Sequence, residues 1–194
     1  MILPNESASP DQPVPRHATE YYSEAVDDNS VEFGSDTFFM GQALRQAQKA
    51  YMAKEVPVGA VIVSEGRIIA RAHNQVETLK DATAHAEMLA LTQAESAIGD
   101  WRLTDCDLYV TKEPCPMCAG AIVHCRIRRV IFGCSDAKGG AAGGFINLLQ
   151  QPTLNHSSEI THSVLEPECR MLIKAFFEEA RERKKAGEGG FPAE

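Results

Sequence analysis

The sequence predicts an α/β fold, with helices layered against a sheet. Three observations carry this expectation. Short runs rich in β-branched residues recur along the chain. Stretches of helical periodicity alternate with them, and capping or turn residues stand at the junctions.

Taken in order, the first helix is expected from Ser35 or Asp36, either of which can cap it. Phe39, Leu44, Ala47 and Tyr51 then give an approximately helical apolar face, and Pro57 is expected to end it. "VGAVIVSEGRIIARA" (58–72) is two β-rich runs around a Glu-Gly turn, a hairpin pattern. Thr83 to Ile98 is expected to be helical, "DLYVT" (107–111) a strand and Pro116 to Cys125 a helix, with proline tolerated in its first turn. "RRVIFG" (128–133) predicts another strand and "GGAAGG" (139–144) a flexible loop. "EITHSV" (159–164) can add a strand before a long final helix, Glu168 to Lys185.

The 194 residues suffice for one domain with a substantial core. A hydrophobic fraction of 44% and a charged fraction of 24% are ordinary for a soluble protein. No apolar run reaches the roughly 20 residues of a membrane span, and "MILPNESASP" does not read as a secretory signal. Six cysteines without an export signal favour metal binding or burial over disulfides. Residues 1–36 hold eight acids and one base, −7 of the net charge of −8, so the rest of the chain stands near −1. A body that close to neutral can present a basic face to nucleic acid. Residues 1–35, rich in proline and acids, are expected to be a disordered tail in which "YYSEAV" can form a short helix. Residues 36–185 are expected to form the domain, and 186–194 a flexible C-terminal tail.

The chemistry concentrates in "KEPCPMCAGAIVHC" (112–125). With six cysteines, Cys-x-x-Cys arises by chance about 0.2 times in such a chain, and a preceding proline lowers this to about 0.01. His-x-Glu, found as "HAE" (85–87), is weaker at about 0.6 expected occurrences. It gains weight from its place near a helix start, upstream of the cysteine pair. His85, Cys115 and Cys118 offer three zinc ligands. A structural site closes the fourth position with a side chain; a catalytic one leaves it to water, whose pKa zinc brings down to about 7. Glu87 can stand beside that water without ligating the metal.

This His-x-Glu…Pro-Cys-x-x-Cys arrangement is a signature of zinc nucleobase deaminases. From "VPVGAVIV" (56–63) through "HNQ" (73–75), "ATAHAEMLAL" (82–91), "DLYVTKEPCPMCAGAIVHCRIRRVIFG" (107–133), "DAKGGAAG" (136–143) and "LNHSSEIT" (154–161) to "FFEEARERKK" (176–185), the chain resembles bacterial tRNA-specific adenosine deaminases of the cytidine deaminase superfamily. The resemblance implies a three-layer α/β/α sandwich with a mixed sheet of about five strands. It also implies a cytoplasmic homodimer, one zinc ion per subunit, and conversion of the wobble adenosine to inosine in a tRNA anticodon stem-loop. Carried over residue by residue, His85, Cys115 and Cys118 hold zinc and Glu87 shuttles protons. Asn74 and the backbone of Ala86 meet the base, and Pro57, Val58, Pro114, Asp136 and Lys138 line the anticodon-loop pocket. Phe177 and Arg181 touch flanking nucleotides. The chain departs from the family pattern at Gly143-Gly144, where "GS" is frequent, and at Lys112, where a hydrophobic residue is common.

Other readings compete. A thioredoxin-like redox pair leaves His85 and Glu87 unexplained. A zinc-stabilised RNA-binding module needs a fourth ligand, with Cys125 and Cys134 the candidates. A small-molecule deaminase of the same fold would share the metal residues. "RIRR" (126–129) and "RERKK" (181–185) are either solvated faces or phosphate contacts.

Overall fold

The computed structural model describes residues 31–187. Most of the expected N-terminal tail, with "YYSEAV", lies outside the described residues, as do residues 188–194.

Helix α1 spans Asp36–Met52. Ser35 is its N-cap: the backbone is extended and the hydroxyl accepts the Phe38 N–H at 3.1 Å. The helix stops well before Pro57. Lys54 turns into the left-handed region (φ 62°), its N–H bonds to Tyr51 O at 3.0 Å, and Glu55 N–H bonds back to Ala50 O at 2.9 Å. That pair of bonds is a Schellman closure, so local backbone geometry rather than the proline terminates the element.

Strands β1 (Gly59–Ser64) and β2 (Arg67–His73) form the expected hairpin. Glu65 and Gly66 both have positive φ, 50° and 72°, which is the two-residue turn whose twist suits a hairpin. A one-turn helix, α2 (Val76–Leu79), follows; the sequence pattern did not indicate it. Helix α3 covers Ala86–Ile98 and begins later than Thr83. The Asp81 carboxylate accepts both the N–H and the hydroxyl of Thr83 at 2.8 and 2.7 Å, which holds a turn there instead of a helix. Then come β3 (Cys106–Lys112), α4 (Pro116–Cys125), β4 (Arg129–Cys134), β5 (Glu159–Thr161) and α5 (Glu166–Lys185).

The five strands form one mixed sheet in the order β2-β1-β3-β4-β5. β1 runs antiparallel to β2 and β3, while β3, β4 and β5 are parallel. Alternate residues serve opposite faces. Val61, Tyr109 and Ile131 pack with Phe39, Met40 and Leu44 of α1 and Cys169 of α5. Ala60, Ile62, Leu108, Val110 and Val130 pack with Ala90 of α3 and Ile122 of α4. The result is the three-layer sandwich. Residues such as Ile62, Leu108 and Ile131 are fully buried, each worth about 1.5–3 kcal/mol relative to exposure.

Register places the functional edge. Gly59 pairs with His73, Ala60 with Val110, and Lys112 with Cys134. The start of β1 and the ends of β2, β3 and β4 therefore lie side by side. In open α/β sheets, ligand sites form where chain segments leave the carboxyl ends of the strands. The opposite end of β3 is tied down by charge. Arg128 grips Asp107 with two hydrogen bonds of 2.9 Å, and Arg129 bridges Asp36 and Asp107. These two arginines of "RIRR" are thus engaged within the fold, Arg128 with β3 and Arg129 with both β3 and α1.

Candidate active site

Two helix N-termini meet at that edge. His85 is the N-cap of α3 and Cys115 the N-cap of α4, both with extended backbone, and neither side chain caps its own helix. Both side chains are thereby left to turn toward each other. Pro116 opens α4 without loss of a needed donor, and Cys118 follows one turn on. His85 Nδ1 lies 3.7 Å from Cys115 Sγ and 3.5 Å from Cys118 Sγ, and the three ligand atoms fall within 4.8 Å of one another. Ligands at zinc's usual 2.0–2.3 Å in a tetrahedron are separated by about 3.6 Å, so this group fits the ion as it stands. One imidazole with two thiolates is also a donor set that suits zinc.

Among the described residues this group has three members. Cys125 instead donates to Glu95 Oε1 at 2.9 Å, and Cys134 to Thr111 O at 3.5 Å. Neither supplies the fourth ligand a structural zinc module requires. Cys106 and Cys169 are buried, free thiols in the core.

The electrostatics favour a thiolate at Cys115. A hydrogen bond from the Cys118 thiol, aided by His85, holds the Cys115 pKa down to about 3, while Cys118 itself is pushed up. Hydrogen bonding to Cys115 raises the His85 pKa against the effect of burial. The positive ends of α3 and α4 add to the preference for negative charge here. Glu87, the second residue of α3, is 3% exposed, and burial pushes its carboxyl above the ordinary range.

His85, Glu87 and Cys115 open into a cleft of about 900 Å³, a size that holds a nucleoside with room beside it. Val58, Asn74, Asp136, Lys138 and Phe177 line the same cleft. Ala86 is buried as the first residue of α3. Pro57 and Pro114 are buried and do not line the cavity, and Pro114 O accepts the Ala141 N–H at 2.8 Å. Arg181 is exposed one helical turn beyond Phe177, which carries it about 6 Å further along α5 and past the cleft wall.

Two buried carboxylates at the site escaped the sequence reading. Glu113 is 2% exposed and accepts the N–H groups of Asp136, Ala142 and Gly144 at 2.8, 2.9 and 2.8 Å. The expected flexible loop is thus laced onto one side chain. A Cβ at Gly140 or Gly144 would come within 2.3 Å of that carboxylate, which explains why glycines stand there. Glu55, 1% exposed, accepts from Glu77 N–H, Thr78 N–H and the Asn74 amide. The available signal was an acid set beside apolar or proline-rich segments, in "EVPVGAV" and "KEPC". Lys112 also reaches the cleft and pairs with Asp136.

The comparisons with known proteins agree with this geometry. The model of the MafB19-like deaminase family matches residues 35–181. The tRNA-specific adenosine deaminase of Bacillus subtilis (strain 168) is 52% identical over 151 residues, which is 78% of this chain and 94% of that protein. Its namesake from Aquifex aeolicus (strain VF5) is 49% identical over 144 residues, 74% of this chain and 95% of that protein. A solved structure from a study of A-to-I editing by tRNA:A34 deaminases at the wobble position of transfer RNA superposes with a TM-score of 0.68 at 45% identity, over 70% of this chain and 99% of that one. A guanine deaminase from Nitrosomonas europaea, at 22% identity and a TM-score of 0.64 over 73% of this chain and 84% of that one, shares the fold. Nearly complete relatives aligned at about half identity, on a sheet with a His-Cys-Cys group at its edge that could hold a metal ion, place this chain in the family of tRNA-specific adenosine deaminases.

Proposed function

We infer that this chain is a zinc-dependent hydrolase that converts adenosine to inosine at the first anticodon position of tRNA. One observation carries the reading: His85, Cys115 and Cys118 form a three-ligand group beside buried Glu87, at a cleft large enough for an extruded nucleoside. Zinc, which those three residues would hold, would supply an acidified water as nucleophile. Glu87 takes the proton from the attacking water and delivers it to the ring N1. It then helps the amine depart, so that adenosine and water become inosine and ammonia. Burial of Glu87 keeps competing solvent away from that transfer. Asn74 contacts the base, the Ala86 N–H assists, and Val58, Asp136, Lys138 and Phe177 receive the loop around it. A nucleotide in an anticodon loop costs less to extrude than a paired one, which suits a recessed site. Exposed Arg181 belongs to the outer contacts in this reading, whereas buried Pro57 and Pro114 support the wall from behind the lining residues.

Incubating the protein with total tRNA and sequencing for adenosine-to-inosine change at the first anticodon position tests the reading. Exclusive ammonia release from free guanine or cytosine overturns it. Glu87→Gln is expected to keep bound zinc and lose turnover by orders of magnitude.

Residues 36–185 are taken as the catalytic domain, to be tested by the activity of that segment alone. The enzyme is further taken to act as a homodimer in the cytoplasm, checked by light scattering and by fractionation. Among the described residues no helix is long and apolar enough to cross a membrane.

A further inference from the structure

We propose that Glu55 is a positioning residue for Asn74: its carboxylate fixes which way the Asn74 amide faces, and so which hydrogen-bonding groups the cleft shows to the base. The proposal rests on the reading of Asn74 as a base contact. Glu55 and Asn74 are 1% and 6% exposed, and both line the cleft.

A carboxylate accepts and does not donate. Glu55 Oε1 takes the Thr78 N–H at 2.7 Å and Oε2 takes the Glu77 N–H at 3.2 Å. With both oxygens engaged as acceptors, Asn74 can turn only its Nδ2 side toward Oε2, and it does so at 3.3 Å. The Asn74 main chain is pinned as well, through its N–H to Val58 O at 3.0 Å. One Nδ2 hydrogen and Oδ1 then remain for a ligand, in a set order. That order carries information. Adenine shows an acceptor at N7 beside a donor at N6, whereas guanine shows two acceptors. A primary amide can match adenine's pair at both atoms and guanine's at only one; locking the flip holds the matching order in place before the base arrives.

The lock is built by two helix ends. The Schellman closure of α1 projects Glu55 from the helix end. The N-cap of α2, Gln75, makes no side-chain cap bond, and Glu55 serves the second and third N–H groups of that helix in its place. Glu55 therefore has a purely structural alternative as a remote cap of α2, and the experiment must separate the two roles.

The substitution is Glu55→Gln. Its amide can still accept one backbone N–H but brings an N–H₂ group toward Asn74, which favours the opposite flip. The kcat and KM of wild type, Glu55→Gln, Asn74→Ala and the double variant are measured on an anticodon stem-loop with adenosine at the first anticodon position. Glu55→Gln is expected to lower kcat/KM about tenfold, the scale of one misdirected hydrogen bond. In the Asn74→Ala background the same change is expected to do nothing further. An equal loss in both backgrounds overturns the proposal and leaves Glu55 as a cap. A second readout does not depend on turnover. The Asn74 side-chain ¹⁵N–¹H₂ signal, identified by its loss in Asn74→Ala, is expected to include one hydrogen protected from solvent exchange by its bond to Glu55, and to shift and lose that protection in Glu55→Gln. Rapid solvent exchange of both Asn74 amide hydrogens in the wild type overturns the proposal even where the variant does not fold. An inert wild type with the expected amide signal counts against the tRNA reading and supports the positioning role.

Discussion

Replacing Glu113 with alanine removes the acceptor for three backbone N–H groups at once. The Ala142 bond is buried; those to Asp136 and Gly144 are partly so. A buried donor left unpaired costs about 1–3 kcal/mol, and one that water can reach costs less. Glu113 borders the cleft, so water can enter. Counting the Ala142 donor in full and the others at about half gives a loss of roughly 2–6 kcal/mol. For a domain of this size that is a fall of about 4–24 °C in the thermal midpoint. Urea unfolding followed by circular dichroism, on zinc-loaded and on chelated protein, measures it. A second variant checks the cause. In Gly140→Ala, the three nearest atoms to the new Cβ all belong to Glu113, at 2.3–2.5 Å. The Gly140 φ lies outside the left-handed range, so the expected 1–3 kcal/mol comes from overpacking and not from backbone strain. With Glu113 cut back to alanine the clash has no partner, and most of the Gly140→Ala cost is expected to vanish. Destabilisation by Glu113→Ala below about 0.5 kcal/mol, or a Gly140→Ala penalty that survives in the double variant, would refute the carboxylate as the anchor of this loop.

Other outcomes are equally specific. Cys118→Ser or His85→Ala is expected to leave less than one zinc ion per chain by elemental analysis, and adding zinc restores little activity because a ligand is missing. Ser35→Ala removes the cap of α1 and is expected to cost about 1 kcal/mol in urea unfolding, with kcat unchanged. The Asp136 carboxyl sits below its ordinary pKa: partial burial opposes this, but Lys112 and the N–H groups of Lys138 and Gly139 outweigh it. A depressed folded-state pKa contributes stability that is present above the unfolded value and lost as pH falls through the folded one. Between pH 5 and 3 the wild type is therefore expected to lose more stability than Asp136→Asn; parallel losses would show that the contact contributes nothing.

By itself the sequence determined the period-2 strands, the helical faces and the order in which they alternate, because these depend on neighbouring residues alone. The candidate metal trio could be proposed from the sequence for a related reason. Cys115 and Cys118 are separated by one helical turn, and His85 and Glu87 sit at a helix start, so local spacing already brings each pair to one site. Only the tertiary structure decided what Glu55 and Glu113 do. Their partners come from segments beyond any local period: Asn74 and α2 for one, the 136–144 loop for the other. The same holds for Arg128 and Arg129, a basic run on paper whose charge is satisfied by Asp107 and Asp36 in space. A side chain's chemical type is written in the sequence, but which buried donors it satisfies is settled by the register of strands that bring distant segments to one edge of the sheet.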